Sequence, residues 1–134
     1  MRIEEELQKN ERKFRAVFER SAAAIALINP DTTIEDVNEA YLLTGGYTRE
    51  EVIGKSWTTQ IVPEDLERLK EYNRRRLMGE KGVPEQYEFG FKRKNGEKRL
   101  VWIMVSIIPD TGKILASFVD ITERKRMEEE LRES

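Results

Sequence analysis

The side chains that could carry acid–base chemistry in this chain are carboxylates near the starts of predicted helices. They are Glu39, Glu50, Glu51, Glu64 and Asp65. Catalysis by a carboxylate needs a nucleophile or a second acid or base that converges on the same reacting atom. Nothing in the sequence pairs these five residues in that way, and the dipole of a helix already favours acidic residues in its first turn. The sequence therefore predicts that the chain is not an enzyme.

Two residue types that dominate the chemistry of protein sites are missing, because the 134-residue sequence contains neither cysteine nor histidine. Disulfides, thiolate nucleophiles, cysteinyl–flavin adducts, Cys/His zinc sites and haem bound through histidine are therefore excluded. No side chain could accept a phosphate as the histidine of a kinase transmitter does. We expect no metal site, and the identity of any other cofactor stays open.

Charge and hydropathy limit the partners of the chain. Its net charge is −2 and its pI is about 5.5, so it has no general attraction to nucleic acid or to an anionic membrane. The longest apolar run, Ala22 to Ile28, is far shorter than the ~20 residues that span a bilayer. The acidic run Glu4 to Glu6 is unlike a secretory signal. We therefore expect a cytoplasmic protein with no membrane segment and no nucleic-acid partner.

Hydrophobic periodicity and turn residues predict the order helix, two strands, short helices, three strands, helix. This order is typical of an α+β domain around one antiparallel sheet. The first helix has a polar interruption at Asn10, so it is either one long helix or two short ones. The predicted elements are a helix at 3–19, strands at 24–29 and 33–37, short helices after 38 and 48, a longer helix from 63, strands at 86–92, 100–108 and 114–119, and a helix from 120.

The junction between the last strand and the last helix contains no flexible linker. Asp120 is predicted to be the N-cap of the helix, with the Glu123 side chain reaching back to it as in a capping box. A change in the sheet would then move the exiting helix directly. We therefore predict that Asp120, Ile121 and Thr122 relay a signal.

The strand from Leu100 to Ile108 is apolar on both faces, so both faces need a cover. One face must line the core. The other is covered either by the N-terminal helix of the same chain or by a second copy, and we favour a homodimer. The predicted interface residues are Leu7, Phe14, Val17, Phe18, Val101, Ile103, Val105 and Ile107.

Six local sequences stand in order along the chain, at 14–18, 37–40, 46–55, 63–65, 93–97 and 120–125. In this order and at these spacings they resemble a PAS domain from about residue 14 to residue 131. The resemblance implies a five-stranded antiparallel sheet with short helices packed on one face around a cavity. It also implies that the domain senses a ligand, light or redox state, or simply dimerises, and passes the result to an attached effector.

The resemblance divides the chain into an N-terminal amphipathic helix (1–20), a PAS core (21–120) and a C-terminal connector helix (121–134). The charged helices at both ends look like connectors to the rest of a longer signalling protein. The expected effector is of the kinase or cyclase type, which would place the chain in a two-component or related system.

The family's architecture implies a set of ligand-binding candidates around the cavity. The candidates from 66 to 77 on the helix face are better explained as ordinary core, with Asn73 at its edge or turned to solvent, and the aromatic ones could equally bond to backbone. We therefore expect a sensory and dimerisation module that binds a small apolar or aromatic ligand and relays its state through the C-terminal helix. A structural PAS module that only dimerises is the alternative, and a small-molecule enzyme is a distant one. The ligand-binding candidates are Tyr41, Trp57, Leu66, Leu69, Tyr72, Asn73 and Leu77.

Overall fold

The computed structural model describes residues 2–133, and its helices and strands follow the predicted order. The first helix is continuous, so Asn10 does not interrupt it. No helix within the described residues has both the length and the apolar character that crossing a membrane requires. The elements are α1 (Arg2–Arg20), β1 (Ala24–Ile28), β2 (Ile34–Val37), α2 (Glu39–Gly45), α3 (Arg49–Val52), a 3₁₀ turn (Trp57–Gln60), α4 (Pro63–Leu77), β3 (Gln86–Lys92), β4 (Lys98–Ile107), β5 (Ile114–Asp120) and α5 (Thr122–Glu133).

The five strands form one antiparallel sheet in the order β2-β1-β5-β4-β3, which confirms the predicted fold class. A tight turn joins β3 to β4, and Gly96 adopts a positive φ of 87° there, a conformation that glycine tolerates without strain. The last strand, β5, lies in the middle of the sheet. Its Phe118 pairs with Ala24 of β1 on one side and with Ile103 of β4 on the other. Strands from the two halves of the chain therefore meet at β5.

One face of β4 is buried and the other is open. Val101, Ile103 and Val105 are 0%, 7% and 7% exposed, whereas Met104 on the opposite face is 48% exposed. This corrects the prediction that these three residues contact a second copy, because a side chain buried in its own core has no surface to offer a partner. Ile107, near the end of the strand, is 42% exposed and stays a candidate for the interface.

The helix α1 carries an exposed apolar stripe. Leu7, Phe14 and Val17 are 63%, 56% and 70% exposed. Phe18 is buried and its ring stacks on that of Phe14 at 5.8 Å between centroids, so Phe18 belongs to the core and not to the predicted interface. The helix packs against α2 and leaves Met104 on the outer face of the sheet exposed.

The side chain of Asn38 ties three elements together. It is fully buried, and its Oδ1 accepts hydrogen bonds from the backbone N–H groups of Ile25 (2.8 Å) and Tyr41 (3.1 Å). Its amide nitrogen donates to the carbonyls of Phe18 and Ala23, both at 2.9 Å. Asn38 is therefore the N-cap of α2. The same amide also satisfies the end of α1 and the start of β1, so every polar group of this buried side chain is used.

The start of α4 is fixed to the middle of β3. The Asp65 carboxylate accepts a hydrogen bond from the backbone N–H of Gly90 at 2.7 Å, and the N–H of Val62 donates to the Gly90 carbonyl at 3.0 Å. A Cβ atom at position 90 would lie 2.6 Å from the Val62 side chain. Glycine therefore allows the close approach that holds α4 over the sheet.

Candidate functional site

A cavity of about 70 Å³ lies between the sheet and the layer of helices. Ile103, Val105 and Phe118 of the sheet form its floor, and Tyr41 and Leu69 of the helices form its roof. Nearly all of the lining is apolar. Pockets of this composition bind molecules that are mainly apolar and orient them through a few polar groups.

A cluster of aromatic rings closes the inner end of the cavity. The Tyr41 ring lies 5.7 Å from Phe91 and 5.6 Å from Phe118, and Phe89 lies 6.2 Å from Phe118. The three pairs meet edge to face, an arrangement that aromatic rings favour. This inner end is therefore a rigid apolar surface.

The hydroxyl of Tyr41 is already satisfied inside the protein. It donates a hydrogen bond to Gln60 Oε1, and both residues are 3% exposed. Burial raises the pKa of Tyr41 far above its ordinary value, so the hydroxyl stays protonated. Because its hydroxyl proton is donated to Gln60, Tyr41 presents its ring to the cavity and no free hydrogen-bond donor.

The outer end of the cavity is polar and is formed by α4 and β3. Asn73 and Arg76 of α4 line it together with Tyr87 of β3. The Arg76 guanidinium donates to the Pro84 carbonyl at 2.6 Å. Burial raises the pKa of Tyr87, and the nearby charge and hydrogen bond of Arg76 partly oppose that rise. The Arg76 guanidinium therefore lies at the mouth of a cavity whose lining is mostly apolar.

The structure brings together four of the seven predicted ligand-binding residues. Tyr41, Trp57, Leu69 and Asn73 line the cavity. The other three are outside the wall that the described residues form: Leu66 and Leu77 pack against the core from its edge, and Tyr72 stacks on Tyr87 at 4.9 Å between centroids.

Gln60, Arg76 and Phe118 are among the residues of the site that sequence reasoning did not identify. Arg76 follows Asn73 by three residues, which places both on one face of a helix, so the spacing alone could have identified it. Gln60 and Phe118 have no such signal, because only the packing of the 3₁₀ turn on α2 and the register of β5 bring them to Tyr41.

The exit junction is held by Asp120. Its Oδ2 accepts a hydrogen bond from Arg99 Nε at 2.6 Å, and its Oδ1 accepts from the Thr122 N–H (2.9 Å) and hydroxyl (2.6 Å). Partial burial acts to raise the pKa of Asp120, but the hydrogen bonds from Thr122 and Arg99 outweigh it and lower the pKa below its ordinary value. The carboxylate thus joins β4, β5 and α5.

The helix α5 begins at Thr122, one residue after position 121, the first helical position that an N-cap at Asp120 predicts. Asp120 is the last residue of β5, and the first helical hydrogen bond runs from Lys125 N–H to the Ile121 carbonyl at 3.0 Å. Glu123 pairs with Arg126 at 2.9 Å, which corrects the prediction that it reaches back to Asp120. The Asp120 carboxylate nevertheless accepts from the first turn, as a capping side chain does.

The same junction is also bonded to the neighbouring strand β4. The backbone N–H of Leu100 donates to the Thr122 hydroxyl at 2.8 Å, and the N–H of Ile121 donates to the Leu100 carbonyl at 2.8 Å. Ile121 and Thr122 are buried. The start of α5 therefore cannot move without disturbing both β4 and β5.

Comparison with known proteins finds the same architecture elsewhere. A family model described as "PAS fold" matches residues 18–126. The sensor histidine kinase TmoS of Ectopseudomonas mendocina is 28% identical over 131 residues, which cover 93% of this chain and 13% of that relative. The chain thus spans a small part of the relative's length.

Two solved structures illustrate the similarity in fold. A domain of a sensory box sensor histidine kinase/response regulator from Geobacter sulfurreducens is 27% identical, with a TM-score of 0.73, and the match covers 85% of this chain and 96% of that one. The PAS domain of an HTR-like protein from Haloarcula marismortui is 25% identical, with a TM-score of 0.69, and the match covers 90% and 98% of the two chains.

Proposed function

This chain belongs to the PAS family, and we propose that it is a sensory module whose cavity binds a small, mainly apolar or aromatic molecule. Occupancy of the cavity is relayed through β5 into α5 and from there to an effector. A histidine kinase is the effector that we favour, because the relative TmoS is a sensor histidine kinase and the Geobacter neighbour is a domain of one.

The observation that carries the proposal is that the strands lining the cavity also hold the exit helix. Ile103 of β4 and Phe118 of β5 form its floor. Two residues after Phe118 comes Asp120, whose carboxylate binds Arg99 of β4 and Thr122 of α5. A ligand that pushes on the floor therefore acts on the two strands that set the direction of α5.

The size of the cavity limits the ligand. A dry apolar cavity of about 150 Å³ holds benzene, and this one measures about 70 Å³. A compact ligand of a few non-hydrogen atoms therefore fits directly, and a ring requires α4 to move outward. Each buried methylene contributes about 0.8 kcal/mol, so small apolar ligands bind weakly unless a polar group adds to the affinity.

A structural role in dimerisation is the second candidate, and the exposed stripe of α1 favours it. Ile3, Leu7, Asn10, Phe14 and Val17 follow one another at alternating spacings of four and three residues. This is the heptad pattern of a coiled-coil seam, in which a single polar residue such as Asn10 fixes the register. The stripe is self-complementary, so a second copy of the chain is the partner that suits it, and dimerisation is compatible with sensing.

Tryptophan fluorescence offers a direct test of the sensory function. Trp57 lines the cavity, whereas Trp102 belongs to the other face of β4. In the variant Trp102→Phe, Trp57 is the only tryptophan, so its emission should change when small aromatic or aliphatic compounds enter. Native mass spectrometry of the purified protein provides a second readout, in which a small molecule that co-purifies supports sensing.

Hydrogen exchange tests the relay. Ligand binding should change the exchange of the backbone N–H groups of Leu100, Ile121 and Thr122, because these amides join the sheet to α5. If a compound saturates the cavity and leaves the exchange of these three amides unchanged, the cavity binds but does not signal through α5.

A further inference from the structure

We infer that the ligand of this cavity is a small carboxylic acid bound as its anion, with its carboxylate held by Arg76 and Asn73. The inference rests on the sensory function proposed above and names the chemistry of the ligand's polar end. It is carried by the two polar side chains of α4 that line the cavity and by the absence of other charged side chains from the wall that residues 2–133 form.

Arg76 is a half-buried cation that pairs with no acidic residue in the range the structure describes. Its neighbours in the sequence are paired, Arg74 with Glu71 at 2.6 Å and Arg75 with Glu80 at 3.6 Å. Within residues 2–133, no Asp or Glu oxygen lies within 4.0 Å of the Arg76 guanidinium, and it is the one charged side chain in the cavity wall. Removing a cation from water without a compensating charge is costly, so a bound anion would stabilise this arrangement.

Arg76 also keeps donors for a ligand. A guanidinium has five N–H groups, and the hydrogen bonds to the Pro84 carbonyl and to Tyr87 use two of them. The planar group matches the two oxygens of a carboxylate in a bidentate pair. The contact with Pro84 orients the guanidinium at the mouth of the cavity.

Asn73 supplies a second polar contact. It is half-buried in the cavity wall, and its amide forms no hydrogen bond with any other part of the described chain. Positions i and i+3 of a helix are neighbours on one face, so the Asn73 amide and the Arg76 guanidinium can reach one carboxylate together. Asn73 would donate through its NH₂ group, and its carbonyl oxygen would stay directed to solvent.

The rest of the cavity limits the polarity and the size of the part of the ligand that enters it. Leu69, Ile103 and Phe118 offer only apolar surface, and the Tyr41 hydroxyl is committed to Gln60. The polar end of a ligand must therefore face α4, and its body must be apolar and compact. A short branched acid places only three or four apolar carbons in the volume of about 70 Å³ and leaves its carboxylate at the mouth. Benzoate marks the upper limit, because its ring of six carbons requires α4 to move.

Matched acids and amides test the inference on the full chain. Isobutyrate, isovalerate and benzoate are compared with isobutyramide, isovaleramide and benzamide, which keep the shape and lose the charge. Binding is measured by calorimetry and by Trp57 fluorescence in the Trp102→Phe background. We expect each acid to bind about tenfold or more tightly than its amide, as hydrogen bonds to charged groups imply.

Substitutions on α4 test whether Arg76 causes the preference for acids over amides. Arg76→Gln should weaken the binding of the acids about tenfold or more and leave the binding of the amides unchanged. Arg75→Gln is the matched control on the same helix, since Arg75 lies outside the cavity wall of the described residues and pairs with Glu80. Asn73→Leu should weaken the binding of the acids by a smaller factor. Arg76→Lys keeps the charge and loses the bidentate geometry, so its affinity for the acids should lie between those of wild type and Arg76→Gln.

Two results would overturn the inference. One is equal binding of acids and amides to the wild-type chain, which leaves the sensory function standing because the cavity still takes a ligand. The other is failure of all three acids to bind at millimolar concentration. The comparison of acid with amide needs no variant, so it decides the matter even if Arg76→Gln does not fold.

Discussion

Arg99 Nε donates to Asp120 Oδ2 at 2.6 Å, and this contact joins the start of β4 to the last residue of β5. The other carboxylate oxygen of Asp120 accepts from the N–H and the hydroxyl of Thr122, the first residue of α5. A single side chain thus links two strands of the cavity floor to the helix that leaves the sheet. We expect changes at this carboxylate to affect output more than they affect folding.

The first prediction compares output with stability after Asp120→Ala. Removing a capping carboxylate typically costs about 1 kcal/mol, so the melting temperature of the isolated chain should fall modestly. In a fusion to a histidine kinase, the same substitution should change the ligand dependence of autophosphorylation strongly, because α5 loses its fixed direction. Normal output together with reduced stability would show that the junction is only a structural cap.

The second prediction concerns pH. The folded pKa of Asp120 is lowered, so its contribution to stability is present above the unfolded pKa, about 3.9, and is lost as pH falls through the folded pKa. Wild type should therefore be more stable than Asp120→Asn near neutral pH, and the difference should shrink below about pH 4. Urea unfolding across this pH range measures the difference in unfolding free energy between the two proteins. A difference that does not depend on pH would contradict the role of the charge.

The third prediction concerns the buried hydrogen bond between Tyr41 and Gln60. Tyr41→Phe leaves the Gln60 carbonyl buried without its donor, which should cost about 1–3 kcal/mol of unfolding free energy. Tyr47→Phe is the matched control, because the Tyr47 hydroxyl donates to the Lys92 carbonyl at 3.1 Å in a half-exposed position. Chemical denaturation of both variants gives the comparison. Equal losses would mean that burial does not decide the cost.

The fourth prediction separates the core from the proposed dimer contact. Ile103 is 7% exposed and Val17 is 70% exposed. Ile103→Glu places an unpaired charge in the core, which costs several kcal/mol, so this variant should unfold. Val17→Glu should instead give a folded monomer. Light scattering and circular dichroism together measure both effects, and a Val17→Glu variant that is still dimeric would exclude the α1 stripe as the contact.

Local signals in the sequence were sufficient for the elements and for most of their ends. The strand 86–92 was predicted to the residue, since side chains alternate along it and a glycine turn follows. The short helix after residue 48 was also predicted, and the capping box that starts it is local: the Thr48 N–H donates to the Glu51 carboxylate at 2.9 Å. These features depend on residues close together in the chain, so they can be recognised before any tertiary contact is known.

The face of β4 could not be decided in this way. Both faces of this strand are apolar, so alternation fails to show which one is inside, and Val101, Ile103 and Val105 were assigned to the wrong side. The position of the first helical residue of α5 was wrong for a related reason. Thr122 is fixed by hydrogen bonds to Leu100, which lies on a different strand.

What the sequence by itself determined is therefore the α+β class, the family and the exclusion of histidine and cysteine chemistry, because each depends on residue types and on spacings within one segment. Only the tertiary structure decided which side of β4 is buried and that Gln60 and Phe118 meet at Tyr41. It alone placed Arg76 at the mouth of the cavity, with no acidic partner in the described part of the chain. These relationships depend on strand register and on packing between segments far apart in the chain, and no local pattern encodes them.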